Sequence, residues 1–240
     1  MLFISFGKKQ GPRFECALLL LVVVACSGGA ALAQTVRPII SEHKKTARGR
    51  VELVNDGPIP LAVVVSPKGF QVSEDGEVTY TELPSEIKLK LSTMSFRIAP
   101  GQTYYVFYEA KAEKIPAWFI LYFEFSGYPV RDRSGLNVQV ELPHTVYILP
   151  KQLTAKSEVR VEARYDPDTK RIIGKAENTG ASFGRVQMTE ASAPRTRKQG
   201  YGFPLFPKSN RTFAIDWDAA VPPEKLVLRF EEFSLETSVR

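Results

Sequence analysis

Apolar and polar positions alternate with a period of two along most of the chain beyond residue 34, and no stretch there sustains a 3.6-residue apolar period. That pattern predicts strands rather than helices. Arg50-Val51-Glu52-Leu53-Val54 alternates and runs into Asn55-Asp56-Gly57, a turn signal. Val36 to Ser41 reads as a first strand and Leu61 to Val65 as a compact β-branched one. Phe96 to Ile98 leads through Pro100-Gly101-Gln102 into the aromatic strand Tyr104 to Tyr108. Trp118 to Phe125 (WFILYFEF) is the most apolar run of this region, and its length and aromatic content predict a central strand. Leu136 to Leu149 is a long extended segment that stops at Pro150.

A second, shorter series follows. Val159 to Ala163 alternates and turns at Tyr165-Asp166-Pro167-Asp168; Ile172 to Ala176 reaches Asn178-Thr179-Gly180. Phe183 to Met188, Arg211 to Trp217 and Leu226 to Leu235 supply the remaining strands. The halves read as degenerate copies, each with a strand ending in Asn-x-Gly and a later proline turn before an aromatic strand. Strands at this spacing, in two sets of the size of one immunoglobulin-like sandwich, predict an all-β protein of two tandem immunoglobulin-like β-sandwich domains.

The beginning of the chain reads differently. Lys8, Lys9 and Arg13 precede the uncharged run Ala17 to Ala25, which falls short of the roughly 20 residues a spanning helix needs. Ala31-Leu32-Ala33 is an A-x-A site, so residues 1–33 are expected to be a signal peptide cut before Gln34. A second reading takes Val23-Val24-Ala25-Cys26 as a lipoprotein box that would anchor the protein through Cys26. The expected domains are then 34–150 and 151–240. Both cysteines, Cys16 and Cys26, fall in the leader, so no disulfide is expected after processing. Loss of Lys8, Lys9, Arg13 and Glu15 lowers the formal charge of +6 by two. So mild a bias, with no basic cluster interleaved with aromatics, gives no support for a nucleic-acid partner.

In order and spacing these segments resemble the periplasmic pilus (fimbrial) assembly chaperones of PapD-like fold. The resemblance is carried by Gly49-Arg50-Val51-Glu52-Leu53-Val54-Asn55-Asp56-Gly57, by Phe96-Arg97-Ile98-Ala99-Pro100-Gly101-Gln102-Thr103, by Asn137-Val138-Gln139-Val140-Glu141-Leu142, and by Pro150. It implies a periplasmic chaperone that caps pilus, fimbrial or related surface subunits by donating an alternating strand, for delivery to an outer-membrane usher. It implies no enzyme activity, cofactor or small-molecule substrate. Leu136, Val138, Val140 and Leu142 share one face of the long strand and are the candidate subunit-binding row. Period two is equally what a strand shows when that face packs inside its own sandwich. The family's basic grip on a subunit carboxylate is matched only by Arg37, since Asn137 to Pro150 holds no Lys or Arg. Pro143 is expected to bulge the strand, and His144 beside it reads as a satisfied or exposed histidine. The rival class is an exported immunoglobulin-like structural or adhesive module, lipid-anchored at Cys26.

Little else suggests chemistry. His43 and His144 have no cysteine partner or paired spacing for a metal, and no nucleophile-elbow motif supports a hydrolytic triad. Asp166-Pro167-Asp168 lacks the glycine and glutamate of a calcium loop and reads as a turn. Asn210-Arg211-Thr212 matches a glycosylation sequon, which has no consequence in a bacterial exporter. Arg195, Arg197 and Lys198 read as a solvated loop, and Phe203-Pro204-Leu205-Phe206 as a strand of the second core.

Overall fold

The structure, a computed structural model, describes residues 34–127 and 139–240. Ten strands build the first half: β1 (Gln34–Arg37), β2 (Ile40–Lys44), β3 (Thr46–Asn55), β4 (Leu61–Val72), β5 (Val78–Glu82), β6 (Ile87–Leu91), β7 (Ser95–Ile98), β8 (Thr103–Ala112), β9 (Ala117–Gly127) and β10 (Gln139–Leu149). They form one sheet in the order β1-β3-β8-β6 and another in the order β2-β10-β9-β4-β5, with β7 also on β4. The second half contributes β11 (Val159–Asp166), β12 (Arg171–Asn178), β13 (Gly184–Ala193), β14 (Thr196–Leu205), β15 (Ser209–Asp216), β16 (Lys225–Arg229) and β17 (Ser234–Ser238). Its sheets run β11-β12-β15 and β14-β13-β16-β17. The described chain is thus a pair of β-sandwiches, each with its own core.

The apolar run predicted as a central strand is β9, flanked by β10 and β4. Phe119, Leu121, Phe123 and Phe125 point into the first core and are essentially inaccessible. Trp118 and Ile120, on the other face, pack with Phe70, Tyr147, Leu149, Phe183 and Phe206 in a third apolar cluster between the sandwiches. Burial of both faces at its start explains why the run is continuous rather than alternating.

Several boundaries differ from expectation. The single first strand is two: the chain pairs with β3 as β1, crosses at the cis Arg37–Pro38 bond, and pairs with β10 as β2. Proline cannot donate to a ladder, so the crossing falls where a bond would be missing. Leu226 to Leu235 is a hairpin, β16 and β17, closed where Phe230 N–H donates to the Phe233 carbonyl at 2.9 Å. The expected Arg195–Lys198 loop is a turn at Arg195 (φ 66°) followed by the start of β14. Of the apolar stretch after it, Phe203 and Leu205 enter the second core, while Phe206 turns to the cluster between the sandwiches.

Candidate functional site

The long segment is β10, described from Gln139 onward; Leu136 and Val138 of the candidate row lie outside the described residues. Along one edge, residues 139–148 pair with β9 without interruption, Val140 opposite Phe125, Leu142 opposite Phe123 and Pro143 opposite Tyr122. The other edge is covered only in part. Parallel β2 pairs with Thr145 to Leu149, and residues 139–144 have no strand on that side among the described residues.

The direction of the backbone groups follows from two bonds. Thr145 N–H donates to the Ile39 carbonyl at 2.8 Å, and the Leu149 carbonyl accepts from Lys45 N–H at 2.9 Å. Odd-numbered residues of β10 therefore aim N–H and C=O toward β2, and even-numbered ones toward β9. Above Thr145 the bare edge presents the N–H groups of Gln139 and Glu141 and the carbonyls of Gln139, Glu141 and Pro143. The expected bulge at Pro143 does not form, and the register runs straight through it. Pro143 has an odd number, so its missing N–H would have faced the bare edge and the β9 ladder loses nothing.

Side chains follow the same parity. Val140 and Leu142 pack against the first core yet stay partly exposed; further along, His144, Val146 and Ile148 on that face are fully buried. The core is thus closed at one end of β10 and open at the other. On the opposite face Glu141 lies across from Glu124. Glu141 is near Tyr122, whose phenol is pushed well up by burial, by hydrogen bonding and charge from Tyr80, and by the Glu141 charge. Lys68 sits over the Tyr122 ring at 4.9 Å.

Arg37 alternates with buried Val36 on β1 and lies opposite Glu52 of β3, so it projects from the outer face of the other sheet, exposed. The cation that the fold brings to β10 between the sandwiches is instead Arg185 of β13. Its guanidinium lies 4.8 Å from the Tyr147 ring centre, its Nε–H donates to Glu42 of β2, and its Nη2 is buried without a partner. Burial raises the Tyr147 phenol, against the pull of Arg185. Sequence reasoning searched the strands at the site and missed Arg185, which stands some forty residues away on a different sheet and carries no local signal. On the first-core face of β10, His144 Nδ1 is 2.6 Å from the Pro38 carbonyl, and His43 Nε2 is 2.9 Å from the Tyr108 hydroxyl. No group of three or more metal-ligating side chains occurs among the described residues, nor any helix long and apolar enough to cross a membrane.

No family model matches the chain, and no curated protein matches it. Solved structures do. The class 5 fimbriae chaperone CfaA superposes with a TM-score of 0.53 at 12% identity, over 87% of this chain and 99% of that one. A chain of the Salmonella enterica complex of SafA pilin with the SafB chaperone gives 0.53 at 11% identity, over 88% and 98%. The YadV chaperone gives 0.52 at 12%, over 85% and 97%. Identities this low speak to architecture alone. The chain has the PapD-like, two-sandwich fold of the fimbrial chaperones that its sequence resembles.

Proposed function

We propose that this protein is a periplasmic chaperone that holds a pilus, fimbrial or related surface subunit by lending it β10, and hands it to an outer-membrane usher. The observation that carries this reading is the bare edge of β10 beside an incompletely closed core. An edge with two free N–H groups and three free carbonyls is a template for a further strand, main-chain bonds giving affinity and alternate side chains giving register. Val140 and Leu142, half covered by their own core, would complete their burial against the incoming chain. Full burial of such a side chain is worth roughly 1.5–3 kcal/mol, and here only the remaining fraction is gained. Support for the client class comes from the fold neighbours, one of which is in complex with a pilin. Residues 1–33 read as an export signal, which supports the compartment. In this reading 34–150 is the strand-lending domain and 151–240 the domain that walls the other side of the site. Arg37, the sequence candidate for a carboxylate grip, projects from the outer face of the other sheet, so a grip beside β10 would fall to Arg185.

The test is co-purification of a client subunit from the periplasm with wild type, Val140→Arg and Glu141→Pro. Glu141→Pro removes a donor from the bare edge and none from the β9 ladder, so the fold is kept. Both variants are expected to reduce capture at least tenfold with an unchanged circular dichroism spectrum. Capture by folded Glu141→Pro at the wild-type level would show that this edge is not the binding element. An adhesive module, by contrast, would capture no subunit even as wild type.

A further inference from the structure

His43 and His144 are the chain's only histidines, and they lie a hundred residues apart in sequence. The fold brings both against Tyr108, His144 at the point where the first strand crosses from one sheet to the other and His43 further along β2. His144 is 0% exposed. A carbonyl oxygen only accepts, so the 2.6 Å contact with Pro38 requires the proton on His144 Nδ1. His144 Nε2 then carries a bare lone pair, buried and without a partner. The Tyr108 ring lies 5.4 Å from the His144 ring and 5.8 Å from the His43 ring, centre to centre. One residue beyond His144, the β2 pairing begins.

We infer that His144, with His43, is an acid-sensitive clasp that holds the start of β2 on β10 and so sets how much of the β10 edge is bare. In the neutral state the Nδ1–H tie to Pro38 keeps the crossing at this point. A second proton on His144 would place an N–H on Nε2 where no acceptor stands, beside a second imidazole that also gains charge in acid. The facing groups offer no compensation. From β8 comes the neutral phenol of Tyr108, from β2 Ser41 and His43, and from β9 the apolar, buried Leu121. Glu141 is exposed on the opposite face of β10, and Glu42 is already paired with Arg185. The least costly relief is release of β2, a five-residue strand at the sheet edge with Ile40, Glu42 and Lys44 exposed. Release would add the outward groups of Thr145, Tyr147 and Leu149 to the bare edge.

The sign follows from burial. Desolvation holds both histidines below their ordinary value of 6.5; for His144 the Pro38 bond opposes this and the nearby His43 reinforces it. A released strand protonates at the ordinary value, so the clasp is at full strength above about pH 6.5 and weakens as pH falls below it. The released fraction rises by up to about tenfold per pH unit for each proton taken up.

The inference rests on the fold and not on the client, and it is tested on the free protein. Amide hydrogen exchange, corrected for the intrinsic pH dependence of exchange, would be followed at Thr145 and Lys45, whose N–H groups bond across the clasp. Between pH 7.5 and 5.5 their opening should increase several-fold, by up to about tenfold for each histidine that takes up a proton, while amides of β12 and β15 keep their protection. His144→Phe should raise opening at pH 7.5 and flatten its pH dependence. If that variant does not fold, the nuclear magnetic resonance titration of His144 in the wild type must share its midpoint with Thr145 opening. Opening that is unchanged with pH, that is matched by β12 and β15, or that keeps its full pH dependence in folded His144→Phe overturns the clasp.

Discussion

Asn55 and Asn178 end equivalent strands of the two sandwiches and are buried in the same way. Asn55 Oδ1 accepts from Gly57 N–H at 3.0 Å, and its Nδ2 donates to the carbonyls of Ile59 and Ile98 at 2.8 and 3.2 Å. Asn178 Oδ1 accepts from Gly180 N–H at 3.0 Å, and its Nδ2 donates to Ser182 and Leu205 at 2.8 and 3.3 Å. The Asn-x-Gly turn was legible because the first bond is local. The third bond was not, since it reaches a strand 43 residues away in one half and 27 in the other. Asn55→Ala and Asn178→Ala leave buried carbonyls and an amide without partners, so each should cost about 2–4 kcal/mol in denaturant unfolding. A loss under 1 kcal/mol would mean that water replaces the side chain. His144 is half satisfied rather than exposed, with Nδ1 bonded to Pro38 and Nε2 bare, and its parity with Leu142, Val146 and Ile148 placed it on the inward face.

Among elements, β9 and β3 were readable because one neighbour on each side supplies the burial their patterns demand. β14 was not. As the outer strand of its sheet it carries Arg197, Lys198, Gly200, Gly202 and Pro204. Charges, glycines and proline are what edge strands use against further pairing, and what a sequence reader takes for a loop. Gly202 is there for closeness: a Cβ on it would stand 2.3 Å from the Val186 carbonyl and 2.4 Å from that of Gln187. Both are backbone oxygens of β13, so they cannot swing aside. Gly202→Ala should therefore part β14 from β13 and destabilise by about 1–3 kcal/mol, read as a lower unfolding midpoint. An unchanged midpoint would show that β14 tolerates a shift. The pairing of β2 with β10 is parallel and follows a crossing at Pro38, a partnership that no local pattern announces.

At the scale of the whole molecule, Gln34–Arg240 cluster as one body although the two cores are separate. Phe183 joins them: it is fully buried between Tyr147 of the first sandwich, 5.0 Å away, and Phe206, 5.7 Å away. A salt link adds to it, Glu74 to Lys175 at 2.7 Å, with Thr212 N–H donating to the Glu74 carbonyl. Each sandwich contains one of the two tryptophans, Trp118 and Trp217. In single-tryptophan variants the two should report one common melting midpoint. Phe183→Ala should remove about 3–5 kcal/mol and split the midpoints. Coincident midpoints in that variant would mean that the remaining contacts suffice to couple the halves. The sequence by itself determined most of the strands, the two sets, the Asn-x-Gly turns and the central place of β9, because each rests on alternation, turn chemistry or an apolar run within about ten residues. Only the tertiary structure decided that residues 139–144 of β10 have one edge without a strand among the described residues, that Arg185 of β13 lies beside Tyr147, and that two distant histidines both pack against Tyr108. Those features depend on which strand lies beside which, and pairing between distant segments is set by the fit of whole faces rather than by the residues of either segment alone.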